Sequence, residues 1–314
     1  MALEVALAQI APVWLDRGAT LEKIIATLDE AAQRGAQLAV FGEALLPGYP
    51  FWPELTDGAR FDDDVQKDLF AHYVANAVDL DAGHLDAVCR RAGELGIAVY
   101  LGVIERCAER GGFSLYACLV YISPAGRIES AHRKLMPTHE ERLVWAPGDG
   151  HGLRVHDLGG FRVGGLNCWE NWMPLTRAAL YGQGENLHVA VWPGSARNTR
   201  DITRYIARES RSFVVSVSGL LPRDAIGDSV PHADRIRAAA PPWPANGGSC
   251  VAAPDGSWLL EPQTNAEGLW CVSLSLEEVA RERQNFDPAG HYSRPDVLRL
   301  AVDRTRQKTV DFED

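Results

Sequence analysis

The chain has 314 residues, of which 46% are hydrophobic and 23% are charged, and its formal net charge is −11. These proportions are typical of a globular protein and exclude a mainly disordered or coiled-coil chain. A mildly acidic chain without a dense lysine and arginine run lacks the electrostatic character of proteins that bind nucleic acid or anionic membranes, so we expect neither partner.

Strand-like and helix-like patterns alternate along the chain. We predict strands over 4–11, 37–42, 97–106, 114–122, 127–133, 153–158, 161–167, 187–192, 213–218 and 269–274, and a hairpin over 248–260. We predict helices over 20–34 with Thr20 as the cap, 64–78, 83–95, 174–182, 199–211 and 276–284, and a long irregular segment over 221–247. This mixture predicts a layered α/β fold with mixed sheets in one domain.

The cysteines and the N-terminus indicate the compartment. No two of the six cysteines are spaced as CxxC, and six are too few for a disulfide framework in a chain this long. The start Met1-Ala2-Leu3-Glu4 has no basic region, and no apolar run reaches the roughly 18 residues of a membrane span. We therefore expect a cytoplasmic protein with free thiols. The histidines show no metal-ligand spacing.

Polar residues that directly follow apolar strands are the first candidates for a site, because reactive groups in α/β sheets lie beyond the carboxyl ends of strands. Glu43 ends the run QLAVFGE. Burial there would raise the pKa of Glu43, which suits a general acid or base. A glutamate that caps a loop or forms a salt bridge explains the position equally well.

Lys134 also follows a predicted strand, and Glu141 comes seven residues later. A buried lysine could stabilise negative charge that develops on a substrate, and a second carboxylate could hold it charged. For a lone lysine or glutamate, a solvated surface position is the commoner explanation. His132 and His139 flank this loop, and they either support it or face solvent.

Cys168 lies in FRVGGLNCWENWMP, where a strand passes through a tight turn into a helix. Such a turn presents the thiol to a cleft and leaves backbone N–H groups free to bind an oxyanion. A thiolate there would be a strong nucleophile. The other cysteines are expected to be buried packing residues: Cys89, Cys107, Cys118, Cys250 and Cys271.

The succession of Glu43, Lys134 and Cys168, each just after a strand, resembles the nitrilase superfamily of carbon–nitrogen hydrolases over about residues 4–300. The resemblance is carried by FGEALLPGYPFW, HRKLMPTHEERLVWAPGDG, GGLNCWENWMPLTRAALYGQGENLHVAVWPG and the GGS at 247–249. The CWEN run at 168–171 resembles the true nitrilase branch.

The resemblance implies a four-layer α-β-β-α sandwich with two mixed β-sheets. It implies a carbon–nitrogen hydrolase domain over 1–290, with 291–314 as a C-terminal arm. By matching position, Cys168 is the nucleophile, Glu43 the general base, Lys134 the stabiliser of the tetrahedral intermediate and Glu141 the second glutamate. The implied reaction converts a nitrile and two waters to a carboxylic acid and ammonia through a thioimidate and a thioester, without a metal or organic cofactor.

The resemblance also bears on substrate and partners. The backbone N–H of Trp169 is expected to help bind the oxyanion. Tyr49 and Trp192 are candidates to line an apolar pocket, although most aromatic residues near these blocks suit the core or an interface, and we expect a hydrophobic nitrile. A homodimer through about 172–183 and 199–211, or a higher homo-oligomer, is implied, with 54–73 and 221–244 as a second interface.

Two alternatives stay open at this point. The first is an amide-cleaving member of the same superfamily, or a nitrile-hydrating one that releases amide. The second is a non-catalytic scaffold, against which the intact set of Glu43, Lys134, Glu141 and Cys168 argues.

Overall fold

The computed structural model describes residues 2–310, and most of its β-strands belong to two sheets. The strands of these residues are β1 (Ala2–Gln9), β2 (Leu38–Phe41), β3 (Ala98–Arg106), β4 (Leu115–Ile122), β5 (Ile128–Arg133), β6 (His156–Leu158), β7 (Phe161–Asn167), β8 (Leu187–Trp192), β9 (Phe213–Ser218), β10 (Leu220–Leu221), β11 (Ala245–Ala252), β12 (Trp258–Thr264) and β13 (Gly268–Ser275). The helices are α1 (Arg17–Gln33), α2 (Trp52–Leu55), α3 (Asp64–Asn76), α4 (Asp86–Leu95), α5 (Pro174–Tyr181), α6 (Ala196–Ser210), α7 (Ala233–Ala239) and α8 (Leu276–Arg283).

Both sheets are mixed. The first has the order β13-β1-β2-β3-β4-β5, with β1, β2 and β3 parallel and the outer pairs antiparallel. The second has the order β10-β11-β9-β8-β7-β6, with β7, β8 and β9 parallel and β12 paired to β11. The central strand β2 reads LAVF and is buried throughout, as expected of a parallel strand covered on both faces.

The sheets pack face to face through an apolar core, and helices cover their outer faces. The inner core takes alternate residues of the facing strands, such as Val5 and Val40 of the first sheet and Val189 and Val215 of the second. Helices α1 and α4 cover the first sheet, and α6 covers the second. The expected four-layer α-β-β-α sandwich is thereby confirmed.

The structure corrects several predicted boundaries. Helix α1 begins at Arg17 rather than at Thr20, because the Asp16 side chain accepts from the backbone N–H of Ala19 and caps the helix. Helix α6 begins three residues earlier than expected and is capped by Ser195. The segment 221–247 is not irregular throughout, since it contains α7 and the start of β11. The several prolines of this segment favoured an irregular structure over a helix, yet α7 forms between them.

Residues 285–310 contain no helix or strand, and their final part packs on the loop that follows β5. Arg306 donates to Asp149 over 3.1 Å and to the carbonyl of Ala131 over 2.8 Å. Gln307 donates its backbone N–H to Asp149 over 3.0 Å. Within residues 2–310, no helix combines the length and the apolar character that a membrane crossing requires.

One glycine lets the turn after β2 lie against β3. A Cβ atom at Gly102 would collide with the Gly42 carbonyl and would lie 2.7 Å from the Cα of Glu43. The chain after that turn then bonds along β3, since Leu46 donates to the carbonyl of Gly102 over 3.2 Å and accepts from Ile104 over 2.8 Å. Gly102 therefore sets where Glu43 lies.

We predict that Gly102→Ala lowers the free energy of unfolding by about 1–3 kcal/mol, because the added methyl group overpacks the turn. Chemical denaturation measures this change. The matched control is Gly182→Ala, because Gly182 is exposed and follows α5 with a helical backbone conformation, and its Cβ would lie 3.4 Å from the nearest atom, the Ala178 carbonyl oxygen. Equal effects of the two substitutions would contradict the packing argument.

Candidate active site

A buried lysine ammonium lies between two buried carboxylates where β2 and β5 end. Lys134 follows β5, and its Nζ donates to Glu43 Oε1 over 2.9 Å and to Glu141 Oε2 over 2.7 Å. All three side chains are at most 1% exposed. Strands β2 and β5 run in the same direction, so their carboxyl ends bring Glu43 and Lys134 to one edge of the first sheet.

Glu141 is held by two further donors. It lies on a one-turn 3₁₀ helix, His139–Leu143, whose preceding residue Thr138 donates its backbone N–H to Glu141 Oε2. The hydroxyl of Tyr49 donates to Glu141 Oε1 over 2.8 Å. The carboxylate is therefore fixed from three directions, counting Lys134. Burying a carboxylate in this way requires such partners.

Cys168 lies beside these carboxylates but belongs to the second sheet. It follows β7 and starts a second one-turn 3₁₀ helix, Cys168–Trp172. Its φ of 49° is in the left-handed region, which a residue with a side chain occupies only when its surroundings impose it. Its sulfur and one carboxylate oxygen each of Glu43 and Glu141 lie within 4.8 Å of one another. The backbone N–H of Trp169 also faces the sulfur.

The other five cysteines lie elsewhere, and one expectation about them is wrong. Cys107, Cys118 and Cys250 are buried, as expected for packing residues. Cys89 is half-buried, whereas Cys271 is exposed. Cys271 lies on β13, whose outward positions face solvent, so its place in a strand pattern did not imply burial.

The site's ionisation states follow from burial and from the neighbouring charges. Burial raises the pKa of Glu43 to about 8, in spite of the Lys134 ammonium, and the nearby Glu141 adds to the rise. Burial alone would lower the pKa of Lys134, but Cys168 and the two carboxylates raise it well above its ordinary value. Burial also raises the pKa of the Cys168 thiol, although Lys134 opposes this. At neutral pH the lysine is charged and the thiol keeps its proton.

The ligand-type atoms of Glu43, Glu141 and Cys168 are close enough together to suit a metal ion. The Lys134 ammonium already bonds both carboxylates, so the chain itself supplies the cation of this cluster.

A narrow cavity of about 10 Å³, which has room for about one water molecule, lies against Glu43. Its wall is otherwise almost entirely apolar, and includes Trp14, Leu45, Tyr49, Phe51, Pro193, Leu220, Leu221 and Ala245. The Oε2 atom of Glu43 has no hydrogen-bond partner among residues 2–310. An unpartnered buried carboxylate oxygen beside an apolar cavity is free to exchange a proton with a bound molecule.

The two candidate pocket residues, Tyr49 and Trp192, and the oxyanion candidate Trp169 lie in different surroundings. Tyr49 lines the cavity and bonds Glu141. Trp192 is fully buried, in the core cluster that contains Cys168 and Ile202, and is not part of the cavity wall. The Trp169 ring is half-exposed and lies 6.1 Å from the ring of Trp172, and the backbone N–H of Trp169 favours the thiolate of Cys168 by lowering its pKa.

A second buried network, which the strand and helix patterns did not indicate, surrounds Cys168. Glu170 accepts hydrogen bonds from His132 and from two backbone N–H groups. Asn171 donates to the carbonyl of Cys168 over 2.8 Å and bonds His188 over 2.8 Å. The only available signal was local: Asn167 and Glu170 have the spacing of a capping box at the start of a helical turn.

We predict that Tyr49→Phe lowers the free energy of unfolding by about 1.5–3 kcal/mol, because it removes a buried hydrogen bond to a charged group. Thermal or chemical denaturation measures the loss. The control is Tyr292→Phe, whose side chain is 60% exposed. We expect that exposed substitution to cost less than about 0.5 kcal/mol. A Tyr49→Phe protein as stable as the control would contradict the prediction.

Known proteins resemble this chain in sequence and in fold. Residues 4–284 match the carbon-nitrogen hydrolase family. A protein named Nitrilase 2 from an unknown prokaryotic organism is 38% identical over 98% of this chain and 94% of its own length. A bifunctional nitrilase/nitrile hydratase from Oryza sativa subsp. japonica is 34% identical over 97% of this chain and 85% of its own length.

The fold is shared more widely than the sequence. The crystal structure of a CN-hydrolase superfamily protein from Xanthomonas campestris superimposes with a TM-score of 0.70 at 18% identity, covering 95% of this chain and 99% of that one. The family match over most of the chain and the near full-length relatives agree with the two-sheet architecture. The chain therefore belongs to the carbon–nitrogen hydrolase family and, within it, to the nitrilase branch.

Proposed function

We propose that this chain hydrolyses an apolar organic nitrile to the carboxylic acid and ammonia, through a covalent intermediate on Cys168. The observation that carries the proposal is the joining of three groups from two sheets: a thiol, a carboxylate with a raised pKa and a lysine cation. The names of the relatives, nitrilase in each case, support the choice of a nitrile. The complete set of four buried side chains argues against a non-catalytic scaffold.

In the first half of the reaction, Glu43 takes the thiol proton and Cys168 attacks the nitrile carbon. A C–S bond forms, one π bond of the nitrile breaks, and Glu43 passes the proton to the nitrogen, giving a thioimidate. Glu43 Oε2 is the oxygen suited to this task, because Lys134 occupies Oε1. A raised pKa matches the base to neutral or mildly alkaline pH.

In the second half, Glu43 takes a proton from water while the hydroxyl adds to the thioimidate carbon and the proton goes to nitrogen. Loss of the hydroxyl proton leaves an oxyanion, and protonation of the amine lets ammonia depart as the C–N bond breaks. A second water then adds to the thioester, and breaking the C–S bond releases the acid and restores the thiol.

Lys134 and the backbone of Trp169 are placed to stabilise the oxyanion. An ammonium has three hydrogens, and Lys134 gives two of them to Glu43 and Glu141. The third has no acceptor among residues 2–310, so it is available to the substrate. Preorganised donors of this kind are worth most in a site that excludes water. We assign Glu141 the task of keeping Lys134 charged and oriented.

The cavity supports an apolar substrate. Apart from Glu43 and the hydroxyl of Tyr49, its wall offers aliphatic and aromatic surface, and a charged substrate would lose its hydration there without a partner. We therefore propose a small hydrophobic nitrile, with Tyr49 among the contacts.

Release of an amide is the second candidate outcome. If the tetrahedral intermediate expels the thiolate rather than ammonia, the C–S bond breaks first and the product is the amide. The relative from rice is named as both a nitrilase and a nitrile hydratase, which supports keeping this branch. The two outcomes need the same residues and differ in which bond breaks.

We also propose a homodimer through α5 and α6. An apolar and aromatic surface is exposed there, made of Trp169, Trp172, Met173, Leu175 and Tyr205. Exposed apolar patches of this kind mark protein interfaces. Sedimentation of the purified protein measures the assembly.

We also propose a division into a domain over 1–290 and an arm over 291–314. A cytoplasmic location, which would keep Cys168 reduced, is a further proposal.

We predict that the protein releases ammonia and a carboxylic acid from hydrophobic nitriles, and that Cys168→Ala lowers kcat by about 1,000-fold or more, since no other nucleophile lies in the site. A panel of aliphatic, aromatic and charged nitriles, with acid, amide and ammonia measured separately, checks this. The control Cys271→Ser alters an exposed thiol and should keep full activity. Turnover by Cys168→Ala, or no turnover of any nitrile by the wild type, would contradict the proposal.

We predict that kcat/KM decreases as pH falls below about 8, because Glu43 must be unprotonated to accept the thiol proton and its pKa is raised to about 8. A pH–rate profile of the best nitrile measures this acidic limb. Glu43→Gln should abolish turnover at every pH. Glu267→Gln, on the half-exposed partner of Lys23, should leave the limb in place. An acidic limb near the ordinary carboxyl range would contradict the assignment.

A further inference from the structure

Glu170 is a fully buried carboxylate that the reaction above does not use. Its Oε1 accepts the backbone N–H of Leu135 over 2.6 Å, and its Oε2 accepts the backbone N–H of Asn167 over 2.9 Å. His132 Nε2 lies 3.1 Å from both oxygens. Both carboxylate oxygens thus accept hydrogen bonds from other groups, and neither accepts one from the Cys168 thiol.

The two backbone N–H groups belong to the chain neighbours of Lys134 and Cys168. The proposed reaction depends on the separation of those two side chains. Leu135 directly follows Lys134, at the end of β5 in the first sheet. Asn167 directly precedes Cys168, at the end of β7 in the second sheet. One carboxylate therefore bonds the neighbour of the cation and the neighbour of the nucleophile, although the two residues come from different sheets.

No other group makes this connection within residues 2–310. Every hydrogen bond between the segments 132–141 and 165–172 in that part of the chain joins Glu170 to His132 or Leu135. The contacts of Lys134 with Glu43 and Glu141 stay within the first sheet and its loops. The packing of the two sheets brings the segments together, and Glu170 sets their register at the site.

We propose that Glu170 is a positioning residue that holds Cys168 and Lys134 at their working separation by bonding the backbone next to each. The inference rests on the proposed function for what those two residues do. His132 supports Glu170 from the β5 side and restrains its rotation. Neither residue touches the reacting atoms, so both act through the two backbone segments.

The carboxylate form of Glu170 is essential to this role. An ionised carboxylate only accepts hydrogen bonds, whereas a glutamine of the same shape must direct its NH₂ group at one of the two backbone N–H groups. Burial alone would raise the pKa of Glu170, but His132 and the backbone N–H groups of Leu135 and Asn167 bring it below its ordinary value. Glu170 therefore stays ionised at neutral pH.

The sharpest variant is Glu170→Gln, which keeps the side-chain volume and releases one segment. A misplacement of about 1 Å between reacting groups costs on the order of 100-fold in rate, so we expect kcat to fall by about that factor. KM should change by less than about threefold, because Glu170 does not line the substrate cavity. His132→Leu leaves both backbone bonds intact and should lower kcat by only about tenfold.

The experiment measures kcat and KM on a nitrile and, separately, the rate at which iodoacetamide alkylates Cys168, read by peptide mass mapping. All rates are normalised to folded protein by circular dichroism. Alkylation of Cys168 should be about tenfold slower in Glu170→Gln, since Lys134 no longer lies where it favours the thiolate. Alkylation of the exposed Cys271 in the same sample is the internal control.

Glu267→Gln is the matched control variant. Glu267 also accepts a backbone N–H, from Ala11 over 2.7 Å, and also pairs with a cation, Lys23, but it lies far along the chain from the catalytic segments. Its kcat and Cys168 alkylation should equal those of the wild type. A general effect of losing a carboxylate–backbone bond would appear in both variants and would overturn the specific role of Glu170.

Further outcomes of these measurements support or overturn the positioning role of Glu170. Glu170→Gln with wild-type kcat per folded molecule, or with a raised KM and unchanged kcat, overturns the proposal. If Glu170→Gln does not fold, an unchanged kcat in His132→Leu overturns it and a reduced kcat with constant KM supports it. If the wild type hydrolyses no nitrile, the proposed function fails, and the alkylation rates alone still test Glu170.

Discussion

The site depends on one buried charge, the ammonium of Lys134. A lysine this deep would lose its proton without anionic partners, and Glu43 and Glu141 provide them at 2.9 and 2.7 Å. Two carboxylates and one ammonium leave an excess negative charge in a dry site. Raising the pKa of Glu43 to about 8 relieves it, because a protonated Glu43 makes the cluster neutral. The raised pKa of Glu43 is thus a consequence of burying this carboxylate beside a second one, Glu141, which the Lys134 ammonium offsets only in part.

The second constraint is that the proposed nucleophile, Cys168, comes from the other sheet. Its distance from Lys134 depends on how two sheets meet, and apolar packing alone allows small slips between them. Buried polar contacts oppose such slips: Gln9 of β1 accepts from Ser249 of β11 over 2.7 Å, and Glu170 joins the ends of β5 and β7. A buried polar network is costly unless every member is satisfied, so it admits few alternative registers.

The proposed mechanism has two possible products from one site. In that mechanism, thiol attack, water addition and oxyanion stabilisation use Cys168, Glu43 and Lys134 whether acid or amide is released. The choice rests on which leaving group is protonated first, and hence on small displacements of Glu43 relative to nitrogen and sulfur. On this proposal, groups that fix the backbone near Cys168 and Lys134 influence the product as well as the rate.

The sequence by itself determined the family, the layered fold and the four candidate catalytic residues, because strand periodicity and the blocks around Glu43, Lys134 and Cys168 are local patterns. It did not reveal the role of Glu170, since that role comes from contacts with His132 and Leu135, more than 30 residues away along the chain. Tertiary structure also decided that Trp192 lies in the core and that Cys271 is exposed. The burial of a side chain on a strand depends on what packs against that strand, which the sequence of the strand does not specify. The proposed chemistry depends on the separation of thiol, carboxylate and ammonium and on the raised pKa of Glu43. Both arise only when the two sheets pack against each other.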